Sequence, residues 1–335
     1  MNAHQDPLTR RWRRRLITIP LVFLTGLLAL ATLPVWVPVL AIVDALRGSR
    51  WTGLRCGFFL VAFAGCEAAG LAGAALILLG TVGRPEARQQ GLYALQRWWS
   101  GQLFRLAQLI FQFTVEVEGS LPSTDRPVLV LARHRSMADT LLPSVVIANV
   151  QRLRLRYVIK RELLFDPCLD VVGQHLPNYF VDRNAEDGAA EVARVSDLAA
   201  GLGPGDGVLI FPEGTRFTPA KRARIIEKLK ERGDDAGAQQ AEALQHVLLP
   251  KRGGPLALLA AAPEADVIFL AHSGFEAAGT FPSLWRGDLV GGRVRVRLEL
   301  VPRENRPQTD AEREKWLYDE WARIDDWLGH LDGKV

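Results

Sequence analysis

The sequence predicts an α/β fold, a largely parallel central sheet with flanking helices, preceded by an N-terminal membrane-embedded helical hairpin. Three observations predict it. Short apolar, β-type runs at residues 128–132, 155–160, 207–211 and 266–271 alternate with stretches of helical spacing, as parallel strands joined by crossover helices do. Two of those runs stop abruptly at polar turns, one opening on His134 and the other on Glu213, and sheets of this kind place their sites at strand ends. Two long segments near the N-terminus carry almost no charge.

Taken in order, residues 1–15 form a basic N-terminus. Arg10, Arg11, Arg13, Arg14 and Arg15 immediately precede the first apolar segment, and the positive-inside rule puts them in the cytoplasm. Residues 16–83 read as the membrane hairpin, with hydrophobic segments at 16–46 and 56–82 whose charges are Asp44 and Glu67. Each segment exceeds the roughly 20 residues needed to cross a bilayer. Arg47, Arg50 and Arg55 in the linker weaken a double crossing and leave room for a shallow re-entrant hairpin bent at Pro34 and Pro38. Either arrangement leaves the remainder cytoplasmic, so the expectation is an integral protein of the cytoplasmic membrane with its catalytic domain on the cytoplasmic side. Gly65, Ala69 and Gly73 recur every fourth residue and could let the two helices approach closely. Glu67 is either an intramembrane functional group or a carboxyl facing the partner helix or reaching the interface.

Hydrophobic residues make up 48% of the 335, near the top of the soluble range, and the excess sits in these segments. The net charge of +4 is carried by arginines beside apolar sequence, which excludes nucleic acid and points to anionic lipid. Three cysteines, Cys56, Cys66 and Cys168, give neither a disulfide framework nor metal-ligand spacing, so no metal is expected.

Residues 84–118 are expected to hold an interfacial helix and linker. Trp98, Trp99, Phe104, Leu106, Leu109, Ile110 and Phe113 suit either a bed in the headgroup region or packing against the sheet. A short strand follows at 114–118. The catalytic domain is expected over 119–335. After the strand at 128–132 a helix should start near Ser136 with Asp139 in its first turn, then strands at 155–160 and 178–181 flank a helix interrupted at Pro167. Residues 188–202 have helical spacing, 207–211 return as strand, and the charged stretch 219–245 reads as a solvated helical insertion or a headgroup-binding face. Residues 266–271 are a buried strand. Val294, Val296, Leu298 and Leu300 alternate as an edge or one-sided strand does, and Thr309 with Glu312 forms a capping box for a C-terminal helix.

The chemistry concentrates in the two turns. An Asp accepting a hydrogen bond from one nitrogen of His134 would fix its tautomer and leave the other nitrogen to take a proton from a hydroxyl, a general-base dyad of His134 and Asp139. Ser136 is two residues from the base and reads as a helix cap. In the second turn, Gly214 permits a backbone conformation closed to other residues, Thr215 offers a hydroxyl and an amide to an anion, and the Arg216 guanidinium suits phosphate. Arg183, after another apolar run, can play the same part, or either arginine can pair with a nearby acid. Glu213 would orient Arg216 or the turn.

Three blocks in order, His134 to Asp139 as H-x-x-x-x-D, Pro177-Asn-Tyr-Phe-Val-Asp-Arg183 and Glu213-Gly-Thr-Arg216, resemble the glycerolipid acyltransferase family typified by 1-acylglycerol-3-phosphate (lysophosphatidate) acyltransferases. The sequence departs from that pattern at Pro177, where glycine is usual, and at Phe217. It also departs in Val267-Ile-Phe-Leu-Ala-His272, which lacks a proline. Phe217-Thr-Pro and residues 246–253 look closer to the branch with lysophosphatidate and lysocardiolipin acyltransferases. The resemblance implies an O-acyltransferase moving a fatty acyl group from acyl-CoA or acyl carrier protein to the free hydroxyl of a lysophospholipid, foremost 1-acylglycerol-3-phosphate, to give phosphatidic acid. It implies no cofactor beyond the acyl donor, and it assigns Arg183, Glu213, Gly214, Thr215 and Arg216 to binding the acceptor's phosphate. The alternatives are another lyso-lipid acceptor, such as lysocardiolipin, or a catalytically silent lipid-binding scaffold in the bilayer. A hydrolase would need a protein nucleophile, and the sequence has no G-x-S-x-G elbow.

Overall fold

The computed structural model describes residues 6–120, 125–181 and 188–332. Its first third is helical: α1 (Leu8–Ala31), α2 (Leu33–Leu46), α3 (Thr52–Gly80) and α4 (Pro85–Phe111). By length and composition, α1 with 24 residues and α3 with 29 are long and apolar enough to cross a membrane. The segment expected as one run over 16–46 is divided at Thr32. Pro34 has no N–H to continue the helix and disfavours the helical conformation in the residue before it, and the Trp36 indole spans the break by donating to Ala29 O at 2.7 Å. Helix α1 begins at Leu8, so the five arginines that precede the apolar segment lie on its opening turns.

The glycine seam is not at Gly65, beside which an added Cβ would meet nothing. The close approach of α1 to α3 is at Gly26, where a Cβ would stand 2.8 Å from that of Ala64, while Gly73 faces Leu95 of α4. Glu67 turns away from the first helix and is fully buried, accepting from the Trp99 indole and from Cys168 N, both at 2.9 Å. Of the two expectations for α4, core packing prevails over its middle, since Trp99, Leu103, Phe104 and Phe111 are buried, whereas Trp98 and Leu109 are exposed.

The rest is a seven-stranded sheet in the order β1-β7-β6-β2-β5-β3-β4. Its strands are β1 (Thr114–Glu118), β2 (Val128–Ala132), β3 (Arg154–Lys160), β4 (Tyr179–Val181), β5 (Asp206–Ile210), β6 (Asp266–Ser273) and β7 (Arg293–Val301). All neighbours pair in parallel except β6 with β7. β7 is one-sided as expected, with Val294, Val296 and Leu298 buried, but it is not an edge because β1 covers it. β2 is buried along its whole length, which is why its sequence is an unbroken apolar run.

Each face of the sheet carries its own core. On one face Val130, Ala132, Ile268 and Leu270 pack with Phe104, Phe113 and Phe275. On the other, Leu129, Leu131, Val267 and Phe269 pack with α7 (Gly188–Asp197), α10 (Gly253–Ala261) and α12 (Asp310–Asp332) through Val195, Leu258 and Trp321. The expected capping box is present, Thr309 Oγ1 accepting from Glu312 N at 3.3 Å and Glu312 Oε2 from Thr309 N at 3.1 Å. The charged insertion forms α8 (Pro219–Glu231) and α9 (Asp235–Ala243).

The helix expected from Ser136 is irregular. A 3-10 turn at Ala138–Thr140 leads to a wide-pitched stretch at Ser144–Ala148 and the short α5 (Asn149–Gln151). Pro143, which cannot donate, separates the two. Helix α6 (Pro167–Gly173) begins at the predicted proline and is capped by Asp166, whose Oδ1 accepts from Leu169 N at 2.8 Å. The short α11 is Phe281–Arg286.

Candidate active site

Parallel register assembles the site. Leu131 of β2 lies beside Ile210 of β5 and Ala132 lies beside Leu270 of β6, so the turns after β2 and β5 leave the same edge of the sheet as the end of β6. The site residues 134, 213 and 272 thus become neighbours although no short motif links them.

Asp139 folds back onto the chain that precedes it. Its Oδ1 lies 3.0 Å from His134 Nδ1, and its Oδ2 accepts from Arg135 N and Ser136 N, both at 2.6 Å. The carboxylate is therefore at once a turn cap and the partner of the imidazole. Ser136 Oγ accepts from Asp139 N at 3.3 Å, the cap expected of it. Burial alone would push the Asp139 carboxyl up. Hydrogen bonding from His134, together with the His272 imidazole, outweighs burial and holds it well below the usual carboxylate range. A carboxylate on Nδ1 requires the proton there, so Nε2 of neutral His134 keeps its lone pair. The ring lies 4.6 Å from that of Phe211, centroid to centroid, which fixes its tilt.

Glu213 orients the turn and not Arg216. It is buried, with Oε1 accepting from His134 N at 2.9 Å and Oε2 from Leu248 N at 3.0 Å, so both oxygens are taken up by backbone amides and not by Arg216. It ties the backbone of His134 to the second turn. Burial pushes this carboxyl up to about 7, against the pull of the His134 amide and the Arg133 charge.

Gly214 has φ +66°, the left-handed region, and a Cβ there would come within 2.8 Å of Lys251 Cε. Thr215 Oγ1 is held by Lys221 Nζ at 2.8 Å, and the same ammonium donates to Arg216 O at 3.1 Å. The half-buried Arg216 guanidinium has no hydrogen-bond or ion-pair partner among the described residues. Arg183 lies outside the described residues.

A cavity of about 840 Å³ opens beside the imidazole. His134, Phe211, Gly214 and Lys251 line one part of it, and Phe63 of α3 with Trp99, Leu103 and Phe104 of α4 line another. Its size and its apolar walls with few polar groups suit a long hydrocarbon chain. Arg216 does not line it. Among the described residues no group of His, Cys, Asp and Glu could hold a metal ion.

Sequence reasoning passed over three residues. His272, next to last in an apolar strand, is fully buried with Nε2 3.3 Å from Asp139 Oδ2. Arg133, immediately before His134, is buried and donates to Glu276 Oε1 and His246 O, each at 3.0 Å, and to His272 O. Lys251, in the 246–253 run already singled out, stands against Gly214. Only an unexpected polar residue within an apolar run could have signalled the first two.

Residues 113–267 match the family model named Acyltransferase. Over 120 residues the chain is 30% identical to the lyso-ornithine lipid O-acyltransferase of Rhizobium meliloti. That match covers 36% of this chain and 38% of the relative, well short of the relative's full length. The crystal structure of the 1-acyl-sn-glycerophosphate (LPA) acyltransferase of Thermotoga maritima superposes with a TM-score of 0.48 at 17% identity, covering 79% of this chain and 95% of that one.

Proposed function

We propose that the chain is an acyltransferase, of the family whose model residues 113–267 match, and that it moves a fatty acyl group from a thioester, acyl-CoA or acyl carrier protein, to the free hydroxyl of a lysophospholipid. The single observation that carries the reading is the placement of His134, paired with the buried Asp139, on the wall of a large apolar cavity. In this reading His134 Nε2 takes the proton of the acceptor hydroxyl as that oxygen attacks the thioester carbonyl carbon. Asp139 stabilises the imidazolium, which returns the proton to the departing thiolate when the tetrahedral intermediate collapses. The cavity holds acyl chain and excludes water, which favours transfer over hydrolysis.

Lysophosphatidate is the first acceptor in this proposal. Arg216, whose guanidinium has no partner among the described residues, and Arg183 would bind its phosphate, with Gly214 and Thr215 shaping the turn that presents Arg216. A second reading, an acceptor with another headgroup, is favoured by one observation: Arg216 stands outside the cavity. The apolar helices α1 and α3 would place the protein in the cytoplasmic membrane, with the sheet on the cytoplasmic side and anionic lipid beside the arginines of α1.

The test is release of free thiol by the purified protein with and without lysophosphatidate, lysocardiolipin or lyso-ornithine lipid, products being identified by mass. Acceptor-dependent release is expected, and the acceptor giving the highest kcat/KM chooses between the two readings. Release without acceptor would make the protein a thioesterase, and no release with any acceptor would favour a silent lipid-binding protein.

A further inference from the structure

We infer that His272 is a positioning residue for the base, its imidazole N–H sharing the Asp139 carboxylate with His134. Strand β6 carries it there. Leu270 is in register with Ala132, so two residues later His272 stands beside the His134 turn, its side chain without exposure to solvent. Its Nε2 is 3.3 Å from Asp139 Oδ2, within ion-pair range but short of hydrogen-bond geometry, and neither ring nitrogen has a hydrogen-bond partner among the described residues. A nitrogen lone pair aimed at a carboxylate oxygen would be repelled, so the proton belongs on Nε2 and Nδ1 stays bare.

Asp139 then receives His134 on one oxygen and two backbone amides plus His272 on the other. Each donor withdraws charge from the carboxylate. With less charge to share, Asp139 stabilises the His134 imidazolium less. The other charged groups facing this cluster are already matched. Glu276 accepts from Arg133 at 3.0 Å and from Gly274 N at 2.6 Å, Arg135 donates to Phe217 O at 2.7 Å, and Glu213 holds its two amides. β7 offers Val296 opposite His272, and the ring edge of Phe275 lies at 5.8 Å between centroids, so nothing ionisable replaces the imidazole from those sides.

The inference rests on His134 being the base. Its test is the pH profile of kcat/KM for His272→Leu, which removes the N–H, and His272→Gln, which keeps one within reach. In the leucine variant the acid limb should move up by about one unit, while the glutamine variant should stay within about 0.3 unit of wild type. A purely structural role would lower yield or melting temperature without moving the limb. An unmoved limb in the leucine variant, or equal shifts in both variants, would overturn the inference. Nitrogen NMR of wild type labelled at histidine, with the His272 signals assigned by their loss in the glutamine variant, decides the matter if the leucine variant does not fold. It should show Nε2 protonated, and an Nδ1–H tautomer is fatal to the idea. Turnover surviving in His134→Ala would instead remove the base itself, an outcome the tautomer measurement does not depend on.

Discussion

Arg14 and Asp170, 156 residues apart in sequence, join through two bonds, Nη2 to Oδ1 at 2.7 Å and Nε to Oδ2 at 3.1 Å. Arg15 Nε reaches the same carboxylate at 3.2 Å, and Arg14 also holds Asp6 at 2.8 Å. These are the arginines that the sequence offers as topological signals. In the folded chain they dock the start of α1 onto α6.

Asp170→Asn should therefore release the N-terminal helix. Breaking a buried ion pair costs about 3–5 kcal/mol, because the remaining charges lose their partner. In detergent micelles, trypsin should cut at Arg14 and Arg15 much faster in the variant than in wild type. Equal cleavage rates would show that the apolar contacts of α1 suffice.

Asp139→Asn should lower kcat by about 10²- to 10⁴-fold, the usual worth of a positioned base, with a much smaller change in acceptor KM. An amide cannot accept from His134 and from both backbone N–H groups while turning its own NH2 away from all three. Steady-state kinetics on protein of native melting temperature provide the check, and wild-type turnover would remove the dyad.

Replacing Arg216 should raise the acceptor KM in the order wild type, Lys, Ala, since lysine keeps the charge but not the fork. A charge-assisted bond of roughly 1.5–3 kcal/mol corresponds to a change on the order of 10- to 100-fold for alanine. The thioester KM should scarcely move. Equal damage with monoacylglycerol, which has no phosphate, would assign Arg216 to structure.

Glu213 makes stability depend on pH. A carboxyl raised from its ordinary value to about 7 is protonated in the folded state and ionised in the unfolded state between those values. The unfolded state then binds fewer protons, and stability must fall as pH rises from about 4.5 towards 7, by on the order of 3 kcal/mol. Glu213→Gln should melt lower than wild type at pH 5, because its NH2 must oppose the amide of His134 or Leu248, and its melting temperature should vary less with pH. Parallel curves for the two proteins would exclude Glu213 as the titrating group.

What could be read from sequence follows from the range of the interactions. Within β2 and β5, side-chain period and composition are local, so the strands and the turns carrying His134 and Glu213 were legible, as was the His134–Asp139 contact across five residues. The Thr309–Glu312 box is local too. The Glu67 bonds to Trp99 and Cys168 depend on how α3, α4 and α6 meet, and His272 depends on strand order. No window of sequence contains either. Pro34 did mark where the first apolar segment breaks, but nothing local showed that Gly26, and not Gly65, would meet the other helix.

The walls of the cavity have a practical consequence. Because Phe63 from α3 and Trp99, Leu103 and Phe104 from α4 face the same space as His134, the greasy N-terminal third is not a detachable tether. A chain shortened to begin at residue 84 would leave the Trp99 indole and the Cys168 amide without the carboxylate that receives them, and would open one flank of the cavity to solvent. Solubilising this protein by trimming would thus dismantle the chamber beside His134, and biochemistry on it belongs in micelles or nanodiscs with every helix retained.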